Sequence, residues 1–479
     1  MDKQIAQKLI YYGALPLCAL LLAVGMKFAG ILAVGLLIAA VLGVLLFLAV
    51  ARRPALGPIW IMLALPFERL LTVDVGFTVK PIHGVIAVVL LAWLYLFITG
   101  HIKLRYPLIT WLAALFWLVG LWSYSVSIDP SRTLLILAFW LIALMGFWLT
   151  VQFVQTKEDI KSIAVLLIVI AIILVIFGFY QFIGNIVGLP NSITGIRPGY
   201  DKTTFGFPRI HATFPEPLYF ADYLFVPFYL AVAYFLYGGI KGKLSRLWAL
   251  VASLLMLVGI ILTVARGAYI ALVVSGLVLV VWQYRRFFQL KNIIVVLSIF
   301  ALSAVLVLGF LTFSEPRAKD AFLAHVQVDD RTKGESVVAR VQASQRALDA
   351  WDHFPILGIG LGGYGPWELQ DRGEVHIVDA DPIVNNQYLE TLAETGTVGF
   401  VVLLLIIITL LWRSIRAWLS TNDPFLRATL SGLTIGVLAI FIQYATFSTI
   451  YIIYIWVFIG LLVATQEIIF RSSLKEEKN

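Results

Sequence analysis

The chain has 479 residues, of which 61% are hydrophobic and 13% are charged, and its mean hydropathy is +0.95. Soluble domains carry roughly 25% charged residues, so this composition excludes a soluble enzyme and predicts an all-α polytopic membrane protein. The net charge of +8 is divided among short segments between apolar runs, a pattern typical of membrane topology signals and not of a nucleic-acid surface. The single cysteine, Cys18, excludes an intrachain disulfide and a cysteine metal cluster.

The apolar runs are long enough to cross the hydrocarbon core of a membrane, which takes about 20 residues. On that criterion about 14 transmembrane helices (12–14) are predicted. They lie near 9–26, 31–50, 55–67, 81–99, 107–125, 134–154, 162–184, 218–237, 247–264, 268–283, 293–313, 396–412, 428–446 and 449–470. The run at 55–67 is short and broken by Pro58 and Pro66, and it is counted because omitting it would invert the charge pattern beyond it.

The basic residues indicate the orientation of these spans. Lys and Arg concentrate in alternate short segments, which are expected on the cytoplasmic side. This predicts cytoplasmic termini and two long polar segments, 185–217 and 314–395, on the outer face. The chain is then divided into a transmembrane bundle (1–313), an extracytoplasmic loop domain (314–395), and C-terminal spans with a cytoplasmic tail (396–479). An enzyme on the outer face needs a group that has already been activated and carried across the membrane, such as a lipid-linked donor.

The loop domain contains a predicted amphipathic helix and a glycine-rich turn. The apolar stripe of this helix recurs at helical spacing and consists of Val337, Val341, Leu348 and Trp351, with the small Ser344 between them. Thr332 and Glu335 supply a capping box before it. We expect the helix to lie over the bundle, with Arg340 and Arg346 on its other faces. The glycines between residues 358 and 365 are too dense for a helix and predict a turn-rich loop.

Three outward features carry residues suited to an anionic ligand. They are Arg209-Ile-His-Ala-Thr-Phe-Pro-Glu-Pro217 before a span, Thr263-Val-Ala-Arg-Gly-Ala-Tyr269 at a tight turn between two spans, and the loop domain with Arg340 and Asn385-Asn386. Arginine suits a diphosphate because its planar fork donates two parallel hydrogen bonds and stays charged. The alternatives are a solvated or locally paired charge for Arg209 and Arg340, and a snorkelling side chain for Arg266.

Taken together, these motifs resemble the bacterial O-antigen ligase and O-antigen/exopolysaccharide polymerase superfamily. Arg209 to Pro217 is similar to Arg-x-x-Gly/Ala-Thr-Phe-x-x-Pro, and Thr263 to Gly267 is similar to Thr-x-Ser-Arg-Gly. An Arg-bearing helix then precedes a His-Pro-x-x-Gly-x-Gly loop and a His-Asn-x-x-Leu motif, which correspond here to Arg340, to 353–360 and to 385–389. The matches follow the family's order from about residue 200 to 400.

The resemblance implies a GT-C-like membrane glycosyltransferase in the inner (plasma) membrane of a bacterium. It implies metal-independent, inverting transfer with no cofactor, from an undecaprenyl-diphosphate-linked glycan to a sugar acceptor on the outer face. The acceptor of a polymerase is another lipid-linked repeat unit, and that of a ligase is the lipid A-core sugar. Arg209 and Arg266 match the arginines taken to hold the diphosphate, with Arg340 as a third.

One departure from the family pattern concerns the catalytic base. The family's ligases begin the His-Asn pair with a His, and this chain has Asn385, whose amide can orient a hydroxyl but cannot act as a general base. Glu216 is the favoured replacement because it lies near Arg209 in the motif, although a paired loop carboxylate is an equal alternative. The other candidates are His376, Asp379, Asp381 and Glu390. Asn386 and His376 are predicted on the acceptor side, with a solvated loop residue as the alternative for His376, and His353 is interpreted as structural.

The competing functions belong to three classes. Polymerase-like relatives vary the His-Asn pair more than ligases do, which favours a polymerase over a ligase. A transporter or flippase of such lipids would carry charged residues inside its spans, where this sequence has few, and it often shows inverted repeats, of which none is evident. A structural or signalling membrane protein would not require the arginine-bearing turn.

Overall fold

The structure is a computed structural model that describes residues 31–70, 72–74, 78–202, 206–238, 243–283, 305, 309, 336–372, 382–448 and 450–476. The predicted span near 9–26, almost all of the span near 293–313, the capping box at 332–335, and His376, Asp379 and Asp381 lie outside these residues. The helices are α1 (Ile31–Arg52), α2 (Leu56–Ala64), α3 (Pro81–Ile98), α4 (Leu108–Ser123), α5 (Pro130–Phe153), α6 (Lys157–Ile186), α7 (Asn191–Thr194), α8 (Pro217–Tyr237), α9 (Lys243–Leu262), α10 (Arg266–Trp282), α11 (Ser336–His353), α12 (Tyr364–Arg372), α13 (Gln387–Leu419), α14 (Pro424–Gln443) and α15 (Ile453–Glu476). Two short antiparallel strands, β1 (Val73–Asp74) and β2 (Thr78–Val79), pair before α3.

The prediction of an all-helical polytopic membrane protein is confirmed. Among the described residues, nine helices are long and apolar enough to cross a membrane, and they coincide with α3, α4, α5, α6, α8, α9, α13, α14 and α15. Two further apolar helices, Leu37–Arg52 and Arg266–Trp282, are shorter. The total of about 14 spans stays a prediction based on length.

The run predicted as a span near 55–67 forms only a short helix. Helix α2 has nine residues, about 13 Å at 1.5 Å per residue, whereas the hydrocarbon core is about 30 Å thick. Gly57 at its start lies against the ring of Phe153, at the last residue of α5. The Pro66 carbonyl beyond its end accepts a 2.5 Å hydrogen bond from the Thr213 hydroxyl, in the loop before α8. The segment is therefore anchored at its start by the end of α5 and beyond its helix by the loop before α8.

The centre of the bundle consists of α8, α14 and α15. In the most apolar window of these helices 78%, 83% and 89% of residues are buried, against 33% in α3 and α4, which therefore lie at the periphery. Gly432 and Gly436 of α14 allow the close packing, because a Cβ at either would lie 2.7 Å from backbone atoms of α8. Inside a membrane the hydrophobic effect does not drive helices together, and small residues favour their association by letting the backbones approach closely.

Helix α13 is interrupted at Gly396, the residue at which the sequence predicts a span to begin. Gly396 has φ 65 and ψ −169, which divides the helix into 387–395 and 397–419. The glycine-rich loop fills the interruption: the Ile359 and Gly360 N–H groups donate to the Ala393 and Glu394 carbonyls, each at 3.0 Å. The Thr397 N–H donates in return to the Pro355 carbonyl at 2.8 Å. The loop thus supplies the hydrogen bonds that the interrupted helix lacks.

The predicted amphipathic helix exists as α11, but two residues of its apolar stripe are exposed. Val341 and Leu348 are 52% and 42% exposed. The buried face consists of Ala343, Ala347 and Ala350. Alanine leaves the backbone accessible, and the Tyr364 hydroxyl donates to the Ala343 carbonyl at 3.0 Å. The face that packs is therefore made of methyl groups, and Val341 and Leu348 lie outside it.

Candidate active site

The Arg209 side chain is held between two loops at one end of the bundle. The Arg209 N–H donates to the Tyr200 carbonyl at 2.8 Å, and its Nε donates to the Thr263 carbonyl at 3.1 Å. The guanidinium carbon lies 5.6 Å from the centroid of the Tyr200 ring, within cation–π range. Burial lowers the pKa of Arg209, and the charge of Arg266 acts in the same direction. An arginine remains charged despite such a shift, so this position holds a partly buried cation.

Arg266 begins α10 directly after the tight turn. Val264 has φ 50 in this turn. Gly267 packs so closely on the turn after α14 that a Cβ there would lie 2.0 Å from Thr446 Oγ1. The turn therefore requires glycine at position 267, and the contact fixes the level at which the Arg266 side chain leaves the helix.

Arg340 of α11 completes a cluster of three arginines. Partial desolvation and then the charge of Arg266 lower the pKa of Arg340, while its side chain stays exposed. Arg266 therefore lies within electrostatic range of both Arg209 and Arg340. The structure brings together the three residues that the sequence predicts to hold a diphosphate, and the result is a strongly cationic group at the loop end of the bundle.

Glu216 lies beside this arginine cluster and immediately precedes α8. Its backbone is extended and its side chain does not cap the helix. Its carboxylate accepts a hydrogen bond from the Tyr200 hydroxyl, and burial together with the charge of Glu216 raises the pKa of Tyr200 to about 12. Glu216 also acts electrostatically on Arg209. Tyr200 therefore joins the candidate base to the arginine whose guanidinium lies over its ring.

The Asn385-Asn386 pair lies immediately before α13, and the start of this helix fixes its position. The Asn386 side-chain carbonyl caps the helix and accepts from the Tyr388 and Leu389 N–H groups at 3.1 and 3.2 Å. The Asn386 NH₂ group is not used in this cap and can donate a hydrogen bond to another group. Asn385 has φ 55 and is partly exposed. The Gln387 N–H donates to the Tyr444 and Phe447 carbonyls at 2.8 and 3.1 Å, so the turn after α14 contacts both this motif and the one that carries Arg266.

Backbone strain coincides with these motifs. Among the described residues, the non-glycine residues with positive φ are Ala212, Val264 and Asn385, at 50°, 50° and 55°. Each lies in a different one of the three outward features that the sequence analysis identifies. Such conformations cost about 1–3 kcal/mol each and cluster where function requires a particular geometry.

Glu390 and His353, two other residues considered from the sequence, lie in different surroundings. Glu390 is 5% exposed, and its carboxylate accepts from the Val384 N–H at 3.3 Å, which supports the chain just before Asn385. His353 is exposed, and its Nδ1 lies 2.8 Å from the Asp349 carbonyl within α11. Neither contact connects these side chains to the arginine cluster.

Sequence reasoning left three residues of this region without a role. They are Tyr200, His211 and Asp222. His211 is fully buried, accepts from the Arg197 N–H at 3.0 Å through Nε2, and donates from Nδ1 to the Phe214 carbonyl at 2.8 Å. Asp222 lies inside α8 and accepts from the Tyr454 hydroxyl at 3.0 Å. An acidic residue inside an apolar span was a usable signal for Asp222, whereas no sequence pattern singled out Tyr200.

An apolar cavity of about 240 Å³ opens between α8, α9 and α10. Its lining includes Phe228, Val232, Leu257, Leu272, Gly276 and Val280. The lining on α10 begins six residues after Arg266, about 9 Å along the helix axis at 1.5 Å per residue. The cavity therefore lies within the bundle on the same helix that carries Arg266 at its start.

Comparison with known proteins places part of this region in a family. Residues 251–404 match the family model described as O-antigen ligase. This range includes the Arg266 turn, α11, the glycine-rich loop and Asn385-Asn386, whereas Arg209 and Glu216 precede it. An uncharacterized protein of Haemophilus influenzae is 31% identical over 173 residues, which is 34% of this chain and 42% of that relative, so the match spans less than half of the relative's length. The match over residues 251–404 supports the resemblance to the O-antigen ligase and polymerase family that the motifs indicate.

Proposed function

We propose that the chain is a glycosyltransferase of the outer face of a bacterial inner membrane, and that it polymerises lipid-linked repeat units using an undecaprenyl-diphosphate-linked glycan as donor. The observation that carries this proposal is the convergence of Arg209, Arg266 and Arg340 beside Glu216. The family match and the apolar helices support a location in the inner membrane. The charge pattern of the sequence supports an outward loop end and cytoplasmic termini.

The arginine cluster binds the donor diphosphate in this proposal. Guanidinium groups donate bidentate hydrogen bonds to phosphate oxygens and stabilise the negative charge that develops as the sugar–phosphate bond breaks. The apolar cavity between α8, α9 and α10 supports a site for part of the donor's isoprenoid chain beyond its first units, because it begins about 9 Å from Arg266 along α10.

Glu216 accepts the proton of the acceptor hydroxyl. The hydroxyl oxygen attacks the anomeric carbon from the side opposite the diphosphate, the carbon–oxygen bond to the diphosphate breaks, and its electron pair leaves on the phosphate. Tyr200 orients the Glu216 carboxylate by donating a hydrogen bond to it. The Asn385 amide orients the acceptor hydroxyl, with the Asn386 NH₂ group on the same side, and the mechanism uses neither a metal nor a cofactor.

Transfer to lipid A-core is the second candidate, because the matching family model is described as a ligase. Purified protein in nanodiscs is incubated with an undecaprenyl-diphosphate-linked oligosaccharide, alone and with lipid A-core. Longer lipid-linked chains in the first arm support the polymerase, and a modified core in the second arm alone supports the ligase. A protein that forms neither product while moving the lipid between leaflets is a flippase, and that result overturns the proposal.

A further inference from the structure

A second pair of arginines lies at the loop end of the bundle, outside the cluster described above. Arg69 follows α2, and Arg197 lies in the loop between α7 and α8. Arg69 donates to the Gly195 carbonyl at 3.1 Å, and Arg197 donates to the Pro215 carbonyl at 3.4 Å. Both side chains are exposed, and neither forms an ion pair with a carboxylate among the residues that the structure describes. Two cations are thus held close together by carbonyls of a single loop.

The pair is held by a built loop and is not a chance pairing of two flexible side chains. The backbone N–H of Arg197 donates a hydrogen bond to Nε2 of the buried His211. Nδ1 of His211 in turn donates to the Phe214 carbonyl. Gly195, which positions Arg69, has φ 71 at the end of α7. Burial and then the charge of Arg197 lower the pKa of Arg69. The fold therefore keeps two like charges together, and a bound anion would relieve their repulsion.

The location of the pair relative to Glu216 indicates what it binds. The Tyr200 hydroxyl, which is bonded to Glu216, lies within electrostatic range of both Arg209 and Arg197. Tyr200, with Glu216 hydrogen-bonded to it, therefore lies within electrostatic range of one arginine from the first cluster and one from the second pair. Transfer between two lipid-linked sugars requires one site for the donor diphosphate and a second site for the acceptor, with the base between them.

We propose that Arg69 and Arg197 form a second anion-binding site, which holds the phosphate or diphosphate group of the acceptor substrate. This inference rests on the proposed function, because the acceptor is defined by that reaction. An anionic headgroup of the surrounding bilayer offers the same phosphate chemistry, and the experiment below separates the two sources.

Binding of inorganic pyrophosphate tests the site without any turnover. The protein is placed in nanodiscs of phosphatidylcholine, and bound pyrophosphate is counted by equilibrium dialysis. We expect two sites in the wild type, one in Arg69→Gln/Arg197→Gln, and one in Arg209→Gln/Arg266→Gln. The control Arg52→Gln/Arg53→Gln removes an exposed pair beside the C-terminal end of α1 and should retain two sites.

An unchanged count in Arg69→Gln/Arg197→Gln overturns the second site. An unchanged count in Arg209→Gln/Arg266→Gln overturns the donor site alone.

Lipid competition and kinetics identify the source of the phosphate. Replacing part of the phosphatidylcholine by phosphatidylglycerol should leave the second site open to pyrophosphate, and its loss would assign the site to a bilayer headgroup and overturn the proposal. In the polymerisation assay, Arg69→Gln/Arg197→Gln should raise the acceptor KM about tenfold and leave the donor KM unchanged. An equal rise in both KM values would contradict a site specific for the acceptor.

Discussion

At the scale of single residues, the site combines like charges that repel one another with neighbours that keep them in place. Arg209 is partly buried and lies over the Tyr200 ring, while its Nε donates a hydrogen bond to the Thr263 carbonyl. Removing a cation from water is costly, and a nearby cation adds to that cost unless an anion is present. The arrangement is therefore most favourable when a dianionic group such as a diphosphate is bound, and the donor itself should stabilise the folded site.

The first prediction concerns the Arg266 guanidinium. Replacing Arg266 by Gln keeps a hydrogen-bond donor but removes the charge and the bidentate fork, and we expect turnover to fall by about 100-fold or more, the effect of losing one transition-state donor. Arg266→Lys keeps the charge without the fork and should recover only part of the activity. The rate of glycan transfer is measured in nanodiscs with Arg53→Gln as the control. A rate for Arg266→Gln within twofold of the wild type would contradict the role.

The second prediction concerns the pH dependence contributed by His211. Burial and the charge of Arg69 lower the pKa of His211 to about 4, whereas an unfolded His titrates near 6.5. As the pH falls below about 6.5 the unfolded chain takes up this proton first, so stability present above that pH is lost progressively toward pH 4. When the whole shift is expressed, the free energy of unfolding changes by about 3 kcal/mol.

His211→Asn isolates this effect, because the amide can still donate to the Phe214 carbonyl but does not titrate. The apparent unfolding midpoint in detergent is measured between pH 7.5 and pH 5 for both proteins. We expect the wild type to lose more stability than the variant over this interval, although the variant is less stable at pH 7.5. Equal slopes would show that His211 does not carry the pH dependence.

At the scale of elements, sequence patterns predicted the helices better than the faces they bury. The stripe containing Val341 and Leu348 suggested the buried face of α11, since an apolar stripe normally faces the core when water surrounds the helix. Near a bilayer an apolar stripe need not face the protein core, because an exposed apolar side chain can lie against lipid. The face made of Ala343, Ala347 and Ala350 packs instead. Position 396 was predicted as the start of a span, but the hydrogen bonds that the glycine-rich loop makes there depend on contacts distant in sequence.

The third prediction tests this interruption of α13. Gly396 has φ 65, and a Cβ there would lie 2.1 Å from the Ile356 carbonyl oxygen. Gly396→Ala should therefore cost about 1–3 kcal/mol for a backbone conformation that is essentially confined to glycine, with a further loss from displacing the loop. Gly84→Ala in α3 is the matched control, since nothing lies within 4 Å of a Cβ there. We expect a clearly lower unfolding midpoint for Gly396→Ala and no loss for the control. Equal midpoints would show that the loop is not packed against the interruption.

At the scale of the whole molecule, the candidate site depends on packing that joins distant segments. The residues alone indicated Arg209, Arg266 and Arg340 one motif at a time, and the expectation that they hold one diphosphate came from the resemblance. Their convergence depends on the close contact of Gly267 with Thr446 and on the α8–α14 contact at Gly432 and Gly436. Patterns of composition identify residues that can bind an anion, whereas long-range contacts decide which of them meet. The same limit explains why the sequence could not locate the cavity between α8, α9 and α10.

The fourth prediction uses that cavity to test where the donor lipid lies. Gly276 lines it, and the nearest atom to a Cβ at this position would be the Tyr229 hydroxyl at 3.7 Å, so a side chain fits without displacing the backbone. Gly276→Leu should fill part of the cavity and raise the KM for an undecaprenyl-linked donor about tenfold, since each buried CH₂ contributes about 0.8 kcal/mol of apolar transfer energy. A donor with a chain of two isoprene units should be affected much less, because most of the displaced contact belongs to the longer chain.

Gly276→Ala is the graded control, because one methyl group occupies little of the cavity. Leucine and alanine both favour a helix over glycine by about 0.5–1 kcal/mol, so neither variant should fail to fold for reasons of helix propensity. The ratio of KM values for the long and short donors is the quantity to compare across the two variants. A ratio that does not change from Ala to Leu would place the isoprenoid outside this cavity, and the diphosphate would then have to reach Arg266 from another side of the bundle.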